Sequence, residues 1–105
     1  MRISTKGRYA LAAVILMARN YQSGESVTVI SISEKLGISK IYLEQVFSLL
    51  KRGEIVLSIK GAQGGYQLSR PPHQITAFEI LSAVELSLFE KAEKTVLEKA
   101  PDIEL

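Results

Sequence analysis

One segment, residues 37–68, constrains the fold more than any other, because it combines a helical apolar repeat, an alternating apolar run and a glycine-rich tip in that order. In its first part, apolar side chains recur at i, i+3, i+4 and i+7, which places them on one face of a helix. These residues are Leu43, Val46, Phe47 and Leu50. The opposite face would carry Ile41, Gln45, Ser48 and Arg52, with Glu44 beside it. The helix therefore offers one face to a protein core and the other to a polar partner.

The residues before that helix predict a tight turn from a preceding helix. Gly37 stands where a helix needs a left-handed C-cap, and Ser39 stands where the next helix needs an N-cap. The preceding helix is predicted from about Val29 to Leu36, with its start open between Thr28 as N-cap and a capping box over residues 31–34. We expect its inward residues to be Ile30, Ile32 and Leu36. Two helices joined by so short a turn form a helix-turn-helix.

The residues after the second helix predict a β-hairpin. Residues 55–59 are rich in β-branched types, and residues 66–68 can return beside them. The tip between them holds Lys60, Gly61, Gln63, Gly64 and Gly65. An ordinary hairpin turn is the alternative, but a position directly after a helix-turn-helix favours a wing. A phosphate-binding loop is disfavoured because no GK[ST] follows. The predicted fold is mainly α, a winged helix-turn-helix with a small β-hairpin.

The charge distribution of the chain favours nucleic acid as the partner of this unit. Residues 1–70 hold ten Lys and Arg against four Glu, whereas residues 71–105 hold three Lys against seven acids. A helix face with short polar and amide side chains can approach base edges and phosphates in the major groove. The alternative is a winged helix that uses the same face to bind another protein without binding DNA.

The last third of the chain predicts a separate helical segment. Pro71 and Pro72 break the chain, and Thr76 to Glu79 has the spacing of a capping box. The following helix would bury Ala77, Ile80, Leu81 and Val84, and a second apolar stripe runs from Phe89 to Ala100. That stripe could pack on the chain's own core or on a dimer partner. We therefore expect a DNA-binding domain over residues 1–75 and a C-terminal helical segment over residues 76–105, packed as one unit.

The segment from Tyr9 to Ala18 is apolar throughout. Ten residues cannot cross a bilayer, so the segment predicts a helix buried between the helix-turn-helix and a dimer partner. No membrane partner is expected, and the lack of a signal peptide, together with the lack of cysteine, favours a cytoplasmic protein.

Three motifs, STKGRYA at residues 4–10, YLEQ at residues 42–45 and GGY at residues 64–66, occur in an order that resembles the Rrf2-type bacterial transcription regulators. The resemblance extends over residues 1 to about 86. It implies a homodimeric repressor that binds a partly palindromic operator, with Ser39, Tyr42, Glu44 and Gln45 facing the groove and Lys60 and Gly61 as the wing's contribution. It also implies that residues 76–105 are a C-terminal helical dimerisation segment. Many members have arginine where Lys60 stands; lysine can bind phosphate but lacks the planar bidentate contact.

Together, the residue pattern and the resemblance define two predicted sites. The predicted DNA contacts are Lys6, Arg8, Ser39, Lys40, Ile41, Tyr42, Glu44, Gln45, Ser48, Lys51, Arg52, Lys60, Gly61, Gln63 and Gly64. The predicted dimer contacts are Tyr9, Leu16, Phe89, Ala92, Val96 and Leu97.

The chain contains no cysteine, whereas the cluster-binding members of the family it resembles carry three. Thiolate ligation of an iron–sulfur cluster and a thiol redox switch are therefore excluded, and no cofactor is expected. The sole histidine, His73, fits a surface loop better than a metal site. A catalytic triad would have to combine His73 with Asp102 near the chain end, so we expect no enzyme. By resemblance, control would come from a regulatory protein or a small-molecule effector.

Overall fold

The computed structural model describes residues 3–61 and 64–85. Three helices, α1 (Thr5–Arg19), α2 (Val29–Leu36) and α3 (Lys40–Arg52), precede a hairpin of β1 (Val56–Ser58) and β2 (Tyr66–Leu68). A fourth helix, α4, is described over residues 77–85. Short 3₁₀ turns at Tyr21–Ser23 and Pro72–Gln74 connect these elements. The predicted mainly α fold with a β-hairpin wing is confirmed.

Each of the first three helices begins at a hydroxyl side chain that accepts a backbone N–H of the first turn. Ser4 accepts from Gly7 at 3.0 Å, Thr28 from Ser31 at 3.1 Å and Ser39 from Tyr42 at 3.0 Å. Thr28 is thus the N-cap of α2, which settles the alternative left open by the sequence. At the other end of α2, Gly37 adopts the left-handed conformation with φ of 66°. The predicted helix-turn-helix caps are therefore confirmed.

The core forms where α1, α2 and α3 meet. All four predicted core residues of α3 are fully buried, as is Ile32 of α2. Ile30 is 51% exposed, so its predicted inward position is wrong. Residues two apart on a helix point to opposite sides, so a short helix that buries Ile32 must expose Ile30. Leu36 is half-buried against the core, as its spacing of four from Ile32 requires.

The hairpin is antiparallel and registers Val56 opposite Leu68, Leu57 opposite Gln67 and Ser58 opposite Tyr66. A single bridge extends it, because Val27 and Tyr66 exchange backbone hydrogen bonds of 2.9 and 2.8 Å. Gly65 makes this approach possible, since a Cβ there would lie 2.8 Å from the Val27 carbonyl oxygen and its φ is 121°. The wing is thereby tied to the residues that lead into α2.

Helix α4 packs into the same core through Ile80 and Val84, while Leu81 is half-buried. Ala77 is exposed, so its predicted place on the buried face is wrong. It lies at the first position of the helix, where α4 has not yet reached the core. The predicted division of the chain between residues 75 and 76 stays a prediction.

Helix α1 is buried on one side only. Ala10, Ala13, Val14 and Met17 belong to the core, but Ile15 is 54% exposed. The apolar segment from Tyr9 to Ala18 is therefore not enclosed within the described residues, and one apolar edge of α1 faces outward.

Candidate nucleic-acid interface

The first three turns of α3 carry the largest group of predicted DNA contacts, and most of that group lies on one exposed surface. Ile41 is 72% exposed, and Glu44, Gln45 and Ser48 are exposed beside it around a shallow depression. Within residues 3–61 and 64–85, no hydrogen-bond partner engages the Gln45 amide. The amide can thus offer both a donor and an acceptor to an incoming base edge.

The N-cap of α3 also belongs to this surface. The Ser39 hydroxyl oxygen accepts the Tyr42 N–H at 3.0 Å, which leaves its proton to donate to a phosphate oxygen. The positive end of the helix dipole lies at the same place and favours an anion there. The N-cap of α3 therefore suits the DNA backbone, while the outward side chains that follow it suit base edges.

Two charged residues on this surface pair with each other. Lys40 Nζ lies 3.8 Å from Glu44 Oε1, and both side chains are 54% exposed. An exposed pair of this kind contributes at most about 1 kcal/mol, and lysine preceding glutamate is the weaker order on a helix. Both side chains can exchange this pair for other partners. Lys40 would then reach a phosphate, and Glu44 could accept from a cytosine amino group.

Tyr42 links α3 to the start of α1. Its ring meets the Tyr9 ring edge-on, with centroids 5.3 Å apart and an interplanar angle of 84°. Lys6 lies three residues before Tyr9 and hence on the same side of α1. Arg8 is exposed, with Nη2 3.5 Å from Thr5 Oγ1. The contact between Tyr9 and Tyr42 thus brings the N-terminal part of α1, which carries Lys6, against the first turn of α3.

The two other cations of α3 lie apart from this cluster. Lys51 and Arg52 are exposed in the last turn, about 18 Å along the helix axis from Ser39. In that turn they also complement the negative end of the helix dipole. They would reach phosphates at a different place from Lys40.

The wing supplies the remaining predicted contacts. Lys60 and Gly61 are exposed, Gly64 is half-buried with φ of 68°, and Gln63 lies outside the described residues. The Phe47 and Tyr66 rings, 4.8 Å apart, join the inner face of α3 to strand β2. The wing is therefore held in a defined position relative to the exposed face of α3.

The predicted dimer contacts divide between described and undescribed residues. Tyr9 packs on Tyr42 and Leu16 is half-buried against the core of its own chain. The other four, Phe89, Ala92, Val96 and Leu97, lie outside the described residues.

Arg70 was not among the predicted site residues, but it organises the junction behind the wing. It donates to the Gln74 carbonyl at 3.0 Å and to the Glu54 carbonyl at 3.4 Å, and it forms an ion pair with Glu79. The backbone N–H of Thr76 is the main cause that lowers the pKa of Glu79. Desolvation raises this pKa, but the Thr76 hydroxyl and Arg70 lower it further, so that it lies below its ordinary value of 4.5. Arg70, one of the cations in the basic half of the chain, is thus neutralised within the protein. The sequence gives no local signal for this ion pair, because Arg70 and Glu79 are nine positions apart across a turn.

The structure therefore combines a helix-turn-helix with a β-hairpin, and the second helix exposes an amide-bearing face beside that hairpin. The model of the Rrf2 family, described as an iron-dependent transcriptional regulator, matches residues 3–102. The chain belongs to the Rrf2 family. The fold is accordingly the winged helix of these regulators, as the sequence resemblance indicated.

Individual relatives agree with this assignment. The chain is 47% identical over 88 residues to the HTH-type regulator ORF2 of Azotobacter vinelandii, covering 84% of this chain and 53% of that protein. It is 46% identical over 88 residues to IscR of Cronobacter sakazakii, covering 84% of this chain and 54% of that one. The chain thus spans about half the length of these relatives. All of them are described as transcriptional regulators and not as enzymes.

Solved structures give the same result. CymR, the global cysteine regulator of B. subtilis, superposes with a TM-score of 0.76 at 40% identity, covering 81% of this chain and 65% of that chain. IscR of T. potens superposes with a TM-score of 0.73 at 33% identity, covering 93% of this chain and 78% of that chain.

The family description names iron, and the residues of this chain do not fit an iron–sulfur cluster. The 105 residues include no cysteine. In the part of the chain that the structure describes, no three His, Asp or Glu side chains converge as a metal site would require, and His73 is exposed. Nor does any helix in that part have the length and apolarity to cross a membrane.

Proposed function

We propose that this chain is a sequence-specific DNA-binding transcriptional regulator that acts as a homodimeric repressor in the bacterial cytoplasm. The observation that carries the proposal is the exposed face of α3, where Gln45 offers an uncommitted amide beside Glu44 and Ser48. Such a face, on the second helix of a helix-turn-helix, has the chemistry for reading base edges in the major groove. The regulator identities of the Rrf2 relatives support the same function.

The residues divide by role. Gln45 and Glu44 would read bases, because an amide pairs with adenine and a carboxylate accepts from cytosine. Ser39, Lys40 and Lys6 would bind phosphates, which sets the position of α3 without carrying sequence information. Lys60 and Gly61 would place the wing against the backbone of the same site.

A dimer on a two-fold related operator follows from the same proposal. Two symmetric recognition helices enter successive major grooves on one side of DNA when the half-sites are separated by about 34 Å. The outward apolar edge of α1, including Ile15, supports a partner surface on this chain. Because no cysteine is present, we propose that a regulatory protein or a small molecule, and not a cluster, controls operator binding.

Selection of bound duplexes from a random library, repeated at two salt concentrations, tests the proposal directly. A two-fold related consensus should emerge, and affinity should fall steeply with salt because bound cations release counterions from phosphates. The absence of any enriched sequence together with salt-independent binding would instead indicate a protein-interaction module.

Two classes of variant test the division of roles. Gln45→Ala should lose about 1–3 kcal/mol of discrimination at one operator position in each half-site. Lys6→Ala should weaken all sequences alike and flatten the salt dependence. Arg19→Ala is the matched control, because it removes a cation from the opposite end of the same helix and should leave the salt slope unchanged. If Gln45→Ala kept the full parental preference, the assigned reading face would be wrong.

A further inference from the structure

Ile41 is an apolar residue in a polar recognition surface. Among the large aliphatic side chains in residues 3–61 and 64–85, it is the most exposed, at 72%. It lies in the first turn of α3, directly after Lys40 and on the same exposed surface as Glu44, Gln45 and Ser48. The core of α3 is complete without it, because the four inward residues of that helix are fully buried.

The position of Ile41 limits what it can contact on DNA. It precedes Glu44 by three residues and Gln45 by four, so its Cβ lies about 5–6 Å from theirs along the helix. That distance corresponds to fewer than two base-pair steps of about 3.4 Å. Ile41 therefore faces the same groove as the polar pair, one or two base pairs away from the base that Gln45 reads.

The major groove presents one apolar group on an unmodified base edge, the 5-methyl group of thymine. Adenine, guanine and cytosine present donors and acceptors there, and an isoleucine would leave these groups without partners. We infer that Ile41 is a specificity-determining residue that packs against the methyl group of a thymine within two base pairs of the base contacted by Gln45. This inference rests on the proposed DNA-binding function.

Uracil substitution isolates the methyl group, because deoxyuridine differs from thymidine only by its absence. The duplex used is the consensus obtained by library selection, with each thymine replaced in turn by deoxyuridine. Burial of one methyl group corresponds to about a fourfold change in affinity, and to about 15-fold when both half-sites are changed together. The parent protein should show this loss at one thymine per half-site.

Variants of Ile41 test whether the loss of affinity with deoxyuridine comes from the Ile41 side chain. Ile41→Ala and Ile41→Ser should bind the thymine and uracil duplexes equally at that position. Ile30→Ala should retain the parental uracil response, since Ile30 is an exposed isoleucine on α2, outside the recognition surface. Ile41 is exposed, so its variants should unfold at the parental temperature, which separates lost recognition from lost folding.

Three results would overturn the inference while leaving the proposed function intact. In the first, the parent selects a consensus but tolerates uracil at every thymine. In the second, Ile41→Ala retains the uracil sensitivity. In the third, the parent gains affinity when a cytosine is replaced by 5-methylcytosine but loses none when a thymine is replaced by deoxyuridine. The methyl group that it contacts would then not belong to a thymine. If the parent selected no sequence at all, the proposed function itself would fail first.

Discussion

Two glycines lie at the points where α4 crosses the other helices, and the position of Gly53 leaves no room for a Cβ. A Cβ on Gly53 would lie 2.7 Å from Ala83 Cβ, and a Cβ on Gly7 would lie 2.8 Å from Leu81 Cδ2. The residue after Gly53, Glu54, has φ of 62° and so occupies the left-handed region that glycine usually fills. Gly53 thus leaves room for α4, and the strained left-handed backbone conformation occurs at the next residue, Glu54.

Gly53→Ala should therefore destabilise the protein by about 1–3 kcal/mol, because the added methyl group overlaps a packed neighbour. Ala83→Gly, which alone costs about 1 kcal/mol for a helical glycine, should partly rescue it. Urea denaturation of both single variants and the double variant measures the coupling. Gly61→Ala is the control, since nothing lies within 4 Å of its Cβ position. Strictly additive effects would contradict the steric explanation.

At this scale the sequence predicted residues whose role is local and missed those whose role depends on tertiary contacts. Ser39 and Gly37 were predictable because caps require particular residue types at particular positions. Gly53 was not, since its requirement comes from Ala83, thirty residues later. Ile30 was misplaced because an eight-residue helix gives too few turns to define its inward side.

Among the elements, α4 begins with a complete capping box. Glu79 N–H donates to Thr76 Oγ1 at 3.1 Å, and Thr76 N–H donates back to Glu79 Oε1 at 3.2 Å. Arg70 adds an ion pair from the end of the wing. These contacts fix the start of α4 relative to β2, and the Glu79 carboxylate receives both the Thr76 N–H and the Arg70 guanidinium.

The stability supplied by Glu79 should depend on pH. Its pKa is lowered in the folded state, so its contribution is fully present above the unfolded pKa and is lost as pH falls through the folded pKa. The stability difference between the parent and Glu79→Gln should therefore be largest near neutral pH and shrink below about pH 4. Thermal unfolding of both proteins between pH 7 and pH 3 measures this difference.

Thr76→Ala tests which hydrogen-bond donor contributes most to the lowered pKa of Glu79. It removes the hydroxyl group and should cost about 0.5–2 kcal/mol as a lost cap. It keeps the backbone N–H, which is the largest cause of the lowered pKa of Glu79, so most of the pH dependence should remain. A gap between parent and Glu79→Gln that stayed constant with pH would contradict the assigned cause.

The elements were predictable to the extent that their signals are local. The helix-turn-helix, the hairpin and the capping box each depend on residues within one or two turns of each other. The bridge between Val27 and Tyr66 joins single residues distant in the chain and has no periodic signal. The position of the wing therefore became known only from the structure.

At the scale of the whole molecule, the 105 residues offer no thiolate to ligate an iron–sulfur cluster. Purified protein should be colourless and contain no stoichiometric iron, and it should bind its operator equally in oxidising and reducing buffer, because no thiolate is available. Absorption spectroscopy, iron analysis and operator titrations in both buffers measure this. A cluster absorption band or a redox-dependent affinity would contradict it.

The outward side of α1 is an apolar edge of the described surface, where Ile15 is 54% exposed. Leu11, Ile15 and Ala18 border a cavity of about 230 Å³ whose other side is formed by Pro72 and Ile75. An exposed apolar edge of this kind is a candidate interaction site. The predicted dimer would cover it with apolar side chains of a second copy.

Ile15→Glu should then yield a monomer, because a carboxylate buried without a partner at the centre of an apolar interface is strongly unfavourable. Operator affinity should collapse with it, since each half-site alone contributes too little. Ile30→Glu makes the same substitution at a similarly exposed isoleucine on α2 and should remain a dimer. Sedimentation of the two variants beside the parent measures this. If Ile15→Glu sedimented with the parental mass, the interface would lie on another surface of the molecule.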